Sequence, residues 1–319
     1  MLHFIERKFF LTCLLTCLLM NANAQTDTSR TEKEIIVQTK TGKLYGTLTT
    51  PLAFNKIPIV LIIAGSGPTD RNGNSAYTQN NCLKELAYKL CDNQIASVRF
   101  DKRGIGESAD STNESDLRFE TYINDVKGWI EFIKKDKRFS KIIIIGHSEG
   151  SLIGMIAAKN NADMFISIAG AGRPADEILK QQLATQPKQV QDIADSMNDT
   201  LKAGKLVQNV PQDYYALFRP SVQPYMISWF KYDPVAELHN LLMPVLILQG
   251  TNDLQITVED AKKLMAANNK AQLNLIESMN HIFKIVTDKQ ANIASYNDPT
   301  LPVSEELVKS IINFINAPN

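Results

Sequence analysis

Cysteine is scarce in this chain, four in 319 residues, which excludes a scaffold built on disulfides. An excess of charge is missing as well: 34 basic side chains stand against 34 acidic ones. A nucleic-acid partner, which needs a basic surface to neutralise phosphates, is therefore not expected. No apolar run reaches the ~18 residues that a bilayer-spanning helix requires. Internal repeats and low-complexity segments are absent too. What remains is a composition of 44% hydrophobic and 21% charged residues, ordinary for a globular protein large enough for one big α/β sheet.

The first 24 residues read as a leader. Arg7 and Lys8 precede an apolar stretch over 9–20, and Ala22-Asn23-Ala24 supplies the small-x-small pattern of a cleavage site. The mature chain is expected to start at Gln25 and to be exported, periplasmic or secreted. A lipid anchor on Cys17 fits less well, because Thr16 is bulky for the preceding position and apolar residues continue beyond it. Two cysteines then remain, Cys82 and Cys91, on a stretch (80–90) whose leucines recur at helical spacing. Nine residues of helix span about 13 Å, beyond disulfide reach, so both thiols are expected to fill core.

Beyond the leader, residues 34–50 read as a hairpin around Lys40-Thr41-Gly42. Short, nearly unbroken apolar runs follow at 57–64, 95–100, 141–145, 164–169, 245–249 and 273–277. Strands covered by helices on both faces have this character. Helical stretches at 80–90, 119–134, 150–159, 258–268 and 305–315 alternate with them, which predicts a doubly wound α/β fold. From 173 to 240 the alternation stops. Only helical periodicity rich in aromatics is left there, including Tyr214, Tyr215, Phe218, Trp229 and Phe230. The domain reading is a core over 25–172 and 241–319, with 173–240 inserted as a helical cap.

Chemistry concentrates at Gly146-His147-Ser148-Glu149-Gly150, where an apolar strand runs into G-x-S-x-G and a small-residue helix follows. This is the setting of a nucleophile elbow, with Ser148 as nucleophile. A side chain at Gly146 or Gly150 would collide with neighbouring backbone in so tight a turn. His147 is locked in the elbow itself, and His239 ends a helical stretch. His281, in a loop after the last apolar strand, is the candidate base. Asp253, after the strand over 245–249, completes the order Ser, Asp, His; Asp176 is the alternative acid, and Asp233 before Pro234 reads as a helix cap. Backbone amides of Glu149 and, from the loop 64–73, Ser66 are the candidate oxyanion donors.

Two glycine-rich loops invite other readings. Residues 64–73 lack the Gly-Lys-Ser/Thr ending of a phosphate loop. Gly170-Ala171-Gly172-Arg173-Pro174-Ala175 matches a dinucleotide fingerprint on paper, yet no strand ending in an acid follows about twenty residues on. The cysteines and histidines have no metal-ligand spacing, so neither metal nor cofactor is expected.

Asp101-Lys102-Arg103-Gly104-Ile105-Gly106-Glu107-Ser108 resembles the D-x-R-G-x-G-x-S turn of the α/β-hydrolase superfamily. Gly65-Ser66-Gly67-Pro68-Thr69-Asp70-Arg71-Asn72, the elbow, Tyr232-Asp233-Pro234 and Asn280-His281-Ile282-Phe283 are similar to the EstD-like group of bacterial carboxylesterases. The resemblance covers essentially the whole mature chain, although Ala64 stands where many members carry a histidine before the glycine. It implies an eight-stranded, mostly parallel sheet with a helical cap and a Ser148–Asp253–His281 triad. The function expected is an exported serine carboxylesterase cleaving small-molecule esters of short to medium acyl chains through an acyl-enzyme. Thioesterase or peptidase chemistry on the same triad, and a non-catalytic binding protein on this scaffold, are the alternatives.

Overall fold

The computed structural model describes residues 29–109 and 112–318; the leader expected over 1–24 lies outside them. Eight strands among these form one sheet: β1 (Arg30–Thr39), β2 (Gly42–Pro51), β3 (Ile57–Ile63), β4 (Ala96–Phe100), β5 (Phe139–His147), β6 (Met164–Ile168), β7 (Val245–Gly250) and β8 (Ala271–Ile276). Their order is β1-β2-β4-β3-β5-β6-β7-β8. The first two strands pair antiparallel, β2 runs antiparallel to β4, and every later pairing is parallel.

The apolar runs become strands for the anticipated reason. In β3, β4, β6 and β7 nearly every residue is buried, because helices cover both faces. The edge strands β1 and β8 keep one face in solvent. The helices are α1 (Cys82–Cys91), α2 (Phe119–Lys134), α3 (Glu149–Ala158), α4 (Ala175–Leu183), α5 (Lys188–Lys202), α6 (Tyr215–Phe218), α7 (Gln223–Trp229), α8 (Pro234–His239), α9 (Val258–Ala267), α10 (Lys289–Ser295) and α11 (Glu305–Asn316). The hairpin is longer at both ends than its sequence pattern indicated, and α10 has no counterpart in the periodicity reading.

Two cores flank the sheet. Side chains of α2, α3, α8 and α9 close over one face, with Trp129 at its centre. Those of α1 and α11 cover the other, where Cys82 and Cys91 are both buried. A third cluster, around Phe218, Leu201, Met197 and Phe230, belongs to the helices between β6 and β7. Helix α8 packs with α3 and α9 rather than within that third cluster.

The chain order explains where a site can form. After β3 the chain turns to the α1 side; after β5, the neighbouring strand, it turns to the α3 side. A crevice opens at the carboxyl ends of strands where successive connections diverge in this way.

Candidate active site

Ser148 stands between β5 and α3 with φ 53° and ψ −121°, a backbone conformation that L residues rarely adopt. The flanking glycines make the turn possible. A Cβ on Gly146 would lie 2.3 Å from the Gly150 carbonyl oxygen, and one on Gly150 would lie 2.5 Å from the carbonyl oxygens of Ile63 and Ala64. The elbow is thus pressed against the end of β3.

His281 and Asp253 come from two loops held together by backbone. The Asn252 amide donates to the Met279 carbonyl at 3.0 Å, and that carbonyl approaches Gly250 too closely for any side chain there. His281 Nδ1 lies 2.8 Å from Asp253 Oδ2. The carboxylate's other oxygen accepts from the amides of Gln255 (2.8 Å) and Ile256 (3.0 Å). Burial pushes the Asp253 carboxyl upward, but the imidazole and these amides outweigh it and hold it below its ordinary value. Gln249, wholly buried, donates to Asp253 Oδ2 at 3.2 Å and to the Ile256 carbonyl at 3.0 Å, fixing the acid from behind.

His147 does not face the serine as a base. Its Nε2–H donates to the His281 carbonyl at 2.9 Å, and its ring lies 4.8 Å from those of both His281 and Phe283. Burial, then the neighbouring imidazole, drives its pKa down to about 3, so it stays neutral. Below the loop, Asn280 is anchored by the Ser295 hydroxyl (2.8 Å) and by Asn292 (3.2 Å).

The loop after β3 is tied to the turn after β4. Asp101 accepts from the Arg71 amide (2.8 Å) and from its guanidinium (2.6 and 3.0 Å), and from the Glu107 amide (3.1 Å). Gly106 permits that embrace, since a Cβ there would meet the Asp101 carboxylate at 2.6 Å. Lys102, 3% exposed, donates to the Gly65 carbonyl at 2.5 Å and lies 3.5 Å from Glu149 Oε2, while the Tyr225 hydroxyl donates to Glu149 Oε1 at 2.7 Å. Burial depresses the Lys102 ammonium despite the carboxylate beside it. Sequence reasoning missed Lys102, Tyr225 and Gln249. The lysine's place inside the Asp101–Ser108 turn was the one available signal.

Two cavities meet at Ser148. The larger, about 320 Å³, runs beneath the helices between β6 and β7, with Leu152, Ile178, Leu179, Val222, Met226 and Trp229 in its walls. The smaller, about 140 Å³, holds His281, Thr69, Thr78, Asn80 and Tyr296. Ser66 and Ser148 line both. Of the aromatics in 214–230, Tyr225 and Trp229 reach the large cavity, Phe218 and Phe230 are buried in the third cluster, and Tyr215 is exposed. Trp229 also stacks on Phe119 at 6.0 Å.

Other residues singled out by sequence have structural partners. Asp176 pairs with Lys202 at 2.8 Å on the first turn of α4, in contact with neither cavity. Asp233 caps α8 by accepting from the Val235 amide at 2.9 Å. His239 is exposed and contacts the Ala267 carbonyl. The Gly170–Ala175 loop serves packing: the Gly172 amide donates to Asp260 Oδ1 at 3.2 Å, and a Cβ there would overlap the Asp260 carbonyl.

An eight-stranded, mostly parallel sheet whose central strand turns through a strained serine into a helix is the α/β-hydrolase fold, and this protein has it. Residues 78–290 match the Hydrolase_4 family, described as serine aminopeptidase, S33, and the chain belongs to it. It is 28% identical over 258 residues to Esterase EstD of Thermotoga maritima, a match covering 79% of this chain and 60% of that protein. The structure superposes on Est1E from Butyrivibrio proteoclasticus with TM-score 0.59 and 16% identity, covering 89% of this chain and 99% of the other. The Pyrococcus furiosus esterase Pf2001 gives TM-score 0.58 and 16% identity, over 91% and 92% of the two chains. At such identities these two structures speak for the fold.

Proposed function

We propose that the protein is an exported serine carboxylesterase with Ser148 as nucleophile, His281 as base and Asp253 as orienting acid. The observation that carries this reading is the 2.8 Å Asp253–His281 contact in a loop pair whose imidazole shares a cavity with the strained serine. With Nδ1–H donating to the carboxylate, neutral His281 keeps Nε2 free to accept a proton. Ser148 Oγ attacks the ester carbonyl as its proton passes to Nε2, and the amides of Glu149 and Ser66 receive the oxyanion. Collapse breaks the bond to the alcohol oxygen, which takes the proton from His281. Water then gives a proton to His281 as it attacks the acyl-enzyme, and collapse breaks the bond to Ser148 Oγ, which takes that proton back from His281 as the acid leaves. Esterase chemistry in the Thermotoga relative supports the choice of substrate, and the leader over 1–24 supports export, periplasmic or secreted.

The family description favours an aminopeptidase as the second reading. Such an enzyme needs an acidic group to hold the substrate's ammonium. Among the described residues lining the two cavities the one carboxylate is Glu149, already committed to Tyr225 and Lys102. The charged remainder of the large cavity is Arg173 and Arg219, each paired with an acid. An uncharged acyl group suits this lining better than an amino terminus.

A fluorophosphonate probe and p-nitrophenyl butyrate test the proposal together. The natural protein is expected to label once per chain and to turn over the ester. Ser148→Ala should do neither while keeping its circular dichroism, and Asp253→Asn should lose about 10³–10⁴ in kcat. Stoichiometric labelling of Ser148→Ala, or unimpaired Asp253→Asn, overturns the assignment.

A further inference from the structure

We infer that Ser148 divides the site into an acyl side and an alcohol side of opposite character, and that the substrate is an ester of a medium-length apolar acid with a small hydroxyl-bearing alcohol. The inference rests on the esterase reading and deepens it. Both cavities contain Ser148 and Ser66, so both open onto the position of the scissile carbonyl. His281 lines the small cavity and is not part of the large one. Proton flow then decides which half lies where.

When the tetrahedral intermediate collapses, the departing alcohol oxygen takes its proton from His281 Nε2, so that oxygen must lie on the imidazole's side. The acyl carbon stays bonded to Ser148 Oγ, and its chain occupies the room away from the imidazole. That room is the large cavity, walled by Leu152, Ile178, Leu179, Val222, Met226 and Trp229. At about 320 Å³ it is roughly twice the ~150 Å³ that accommodates the six carbons of benzene, room for an acyl chain of up to about twelve carbons.

The small cavity, about 140 Å³, presents the hydroxyls of Thr69, Thr78 and Tyr296 and the amide of Asn80. Each already has one partner in the fold: Thr69 the Ser66 carbonyl, Thr78 the Ser75 hydroxyl, Asn80 Oδ1 the Cys82 amide, and the Tyr296 oxygen the Gln255 side chain. The Tyr296 O–H and the Asn80 side-chain NH2 keep donors that an alcohol carrying a second hydroxyl can satisfy and an apolar leaving group cannot. The same cavity serves the second half-reaction. Once the alcohol departs, the volume accepts water beside His281, where it must be activated.

Two isomeric esters separate the assignments, because they contain the same atoms with the halves exchanged: 2-hydroxyethyl octanoate and octyl glycolate. The natural protein is expected to show at least tenfold higher kcat/KM on the octanoate. Leu179→Trp, which fills the large cavity, should shift the ratio of octanoate to acetate turnover at least tenfold towards acetate. Tyr296→Phe, which removes a donor from the small cavity, should shift the ratio of 2-hydroxyethyl to methyl ester turnover towards the methyl ester. Equal rates on the isomers, or preference for octyl glycolate, overturn the two-sided assignment and leave the esterase reading standing. Inertness to both esters without fluorophosphonate labelling overturns both.

Discussion

At the scale of single residues, Lys102 is expected to bear on the proposed catalysis through its contacts with Gly65 and Glu149. It binds the carbonyl of Gly65, immediately before Ser66, and faces the side chain of Glu149, whose amide follows the nucleophile. One ammonium therefore spans the two backbone segments proposed to hold the oxyanion, as a positioning residue. Lys102→Met is expected to lower kcat by about 10–100-fold with KM changed little, because misplaced donors are felt most in the transition state. A boronic acid, which mimics the tetrahedral species, should lose affinity by the same factor, whereas a ground-state ketone should not. Lys102→Met combined with Glu149→Gln removes the uncompensated buried carboxylate, so restored thermal stability with persistent loss of boronate affinity separates positioning from folding. Unchanged boronate affinity in either variant contradicts the role.

The strand–turn–helix elbow is the element on which the site depends, and its demands are steric. A methyl group on Gly146 would meet only backbone, 2.3 Å from the Gly150 oxygen and 2.4 Å from Ser151 Cα, and neither can rotate away. Gly146→Ala should destabilise the protein by about 2–4 kcal/mol and abolish ester turnover, read by denaturant midpoint and initial rate. Gly128 provides the contrast. It lies within α2, where an added Cβ meets nothing closer than Val37 Cγ1 at 3.6 Å. Gly128→Ala should stabilise by about 0.5–1 kcal/mol, since alanine loses less backbone entropy in a helix. Equal effects at the two positions would contradict the steric account.

Over the whole molecule, burial of titratable groups sets the response to acid. His147 is held neutral in the fold down to about pH 3, whereas in the unfolded chain it takes a proton near its ordinary value of 6.5. The unfolded state thus binds the extra proton between these limits. Stability present above about pH 6.5 is lost as pH falls towards 3, at up to about 1.4 kcal/mol per pH unit. Around His147 lie His281, Phe283, Lys102 and Asp253, and the last carboxylate, like Asp260, adds its own loss as pH falls below about 4. Urea midpoints at pH 7 and pH 5 should differ for the natural protein and converge in His147→Asn. A difference that persists in the variant assigns the acid response elsewhere.

The sequence by itself determined the class of fold and pointed to the three residues proposed for catalysis. Burial on both faces leaves unbroken apolar runs, and a serine forced into an elbow requires glycines two positions to either side; both constraints are local and survive in one dimension. Both Asp176 and Asp253 follow an apolar strand between Ser148 and His281, so chain order allows either. The sequence favoured Asp253 in its loop directly after 245–249, and the structure sets Asp253 against His281 while Asp176 pairs with Lys202. What only tertiary structure decided are contacts between residues far apart in the chain: His147 on the His281 carbonyl, Lys102 across Gly65 and Glu149, Gln249 behind Asp253. The division of aromatics between cavity and cluster was likewise undecidable from periodicity, because Phe218, Tyr225 and Trp229 share one pattern and differ in what faces them. Hydrophobic spacing reports that a side chain is buried; which chemistry it is buried against depends on how the helices after β6 return over the sheet.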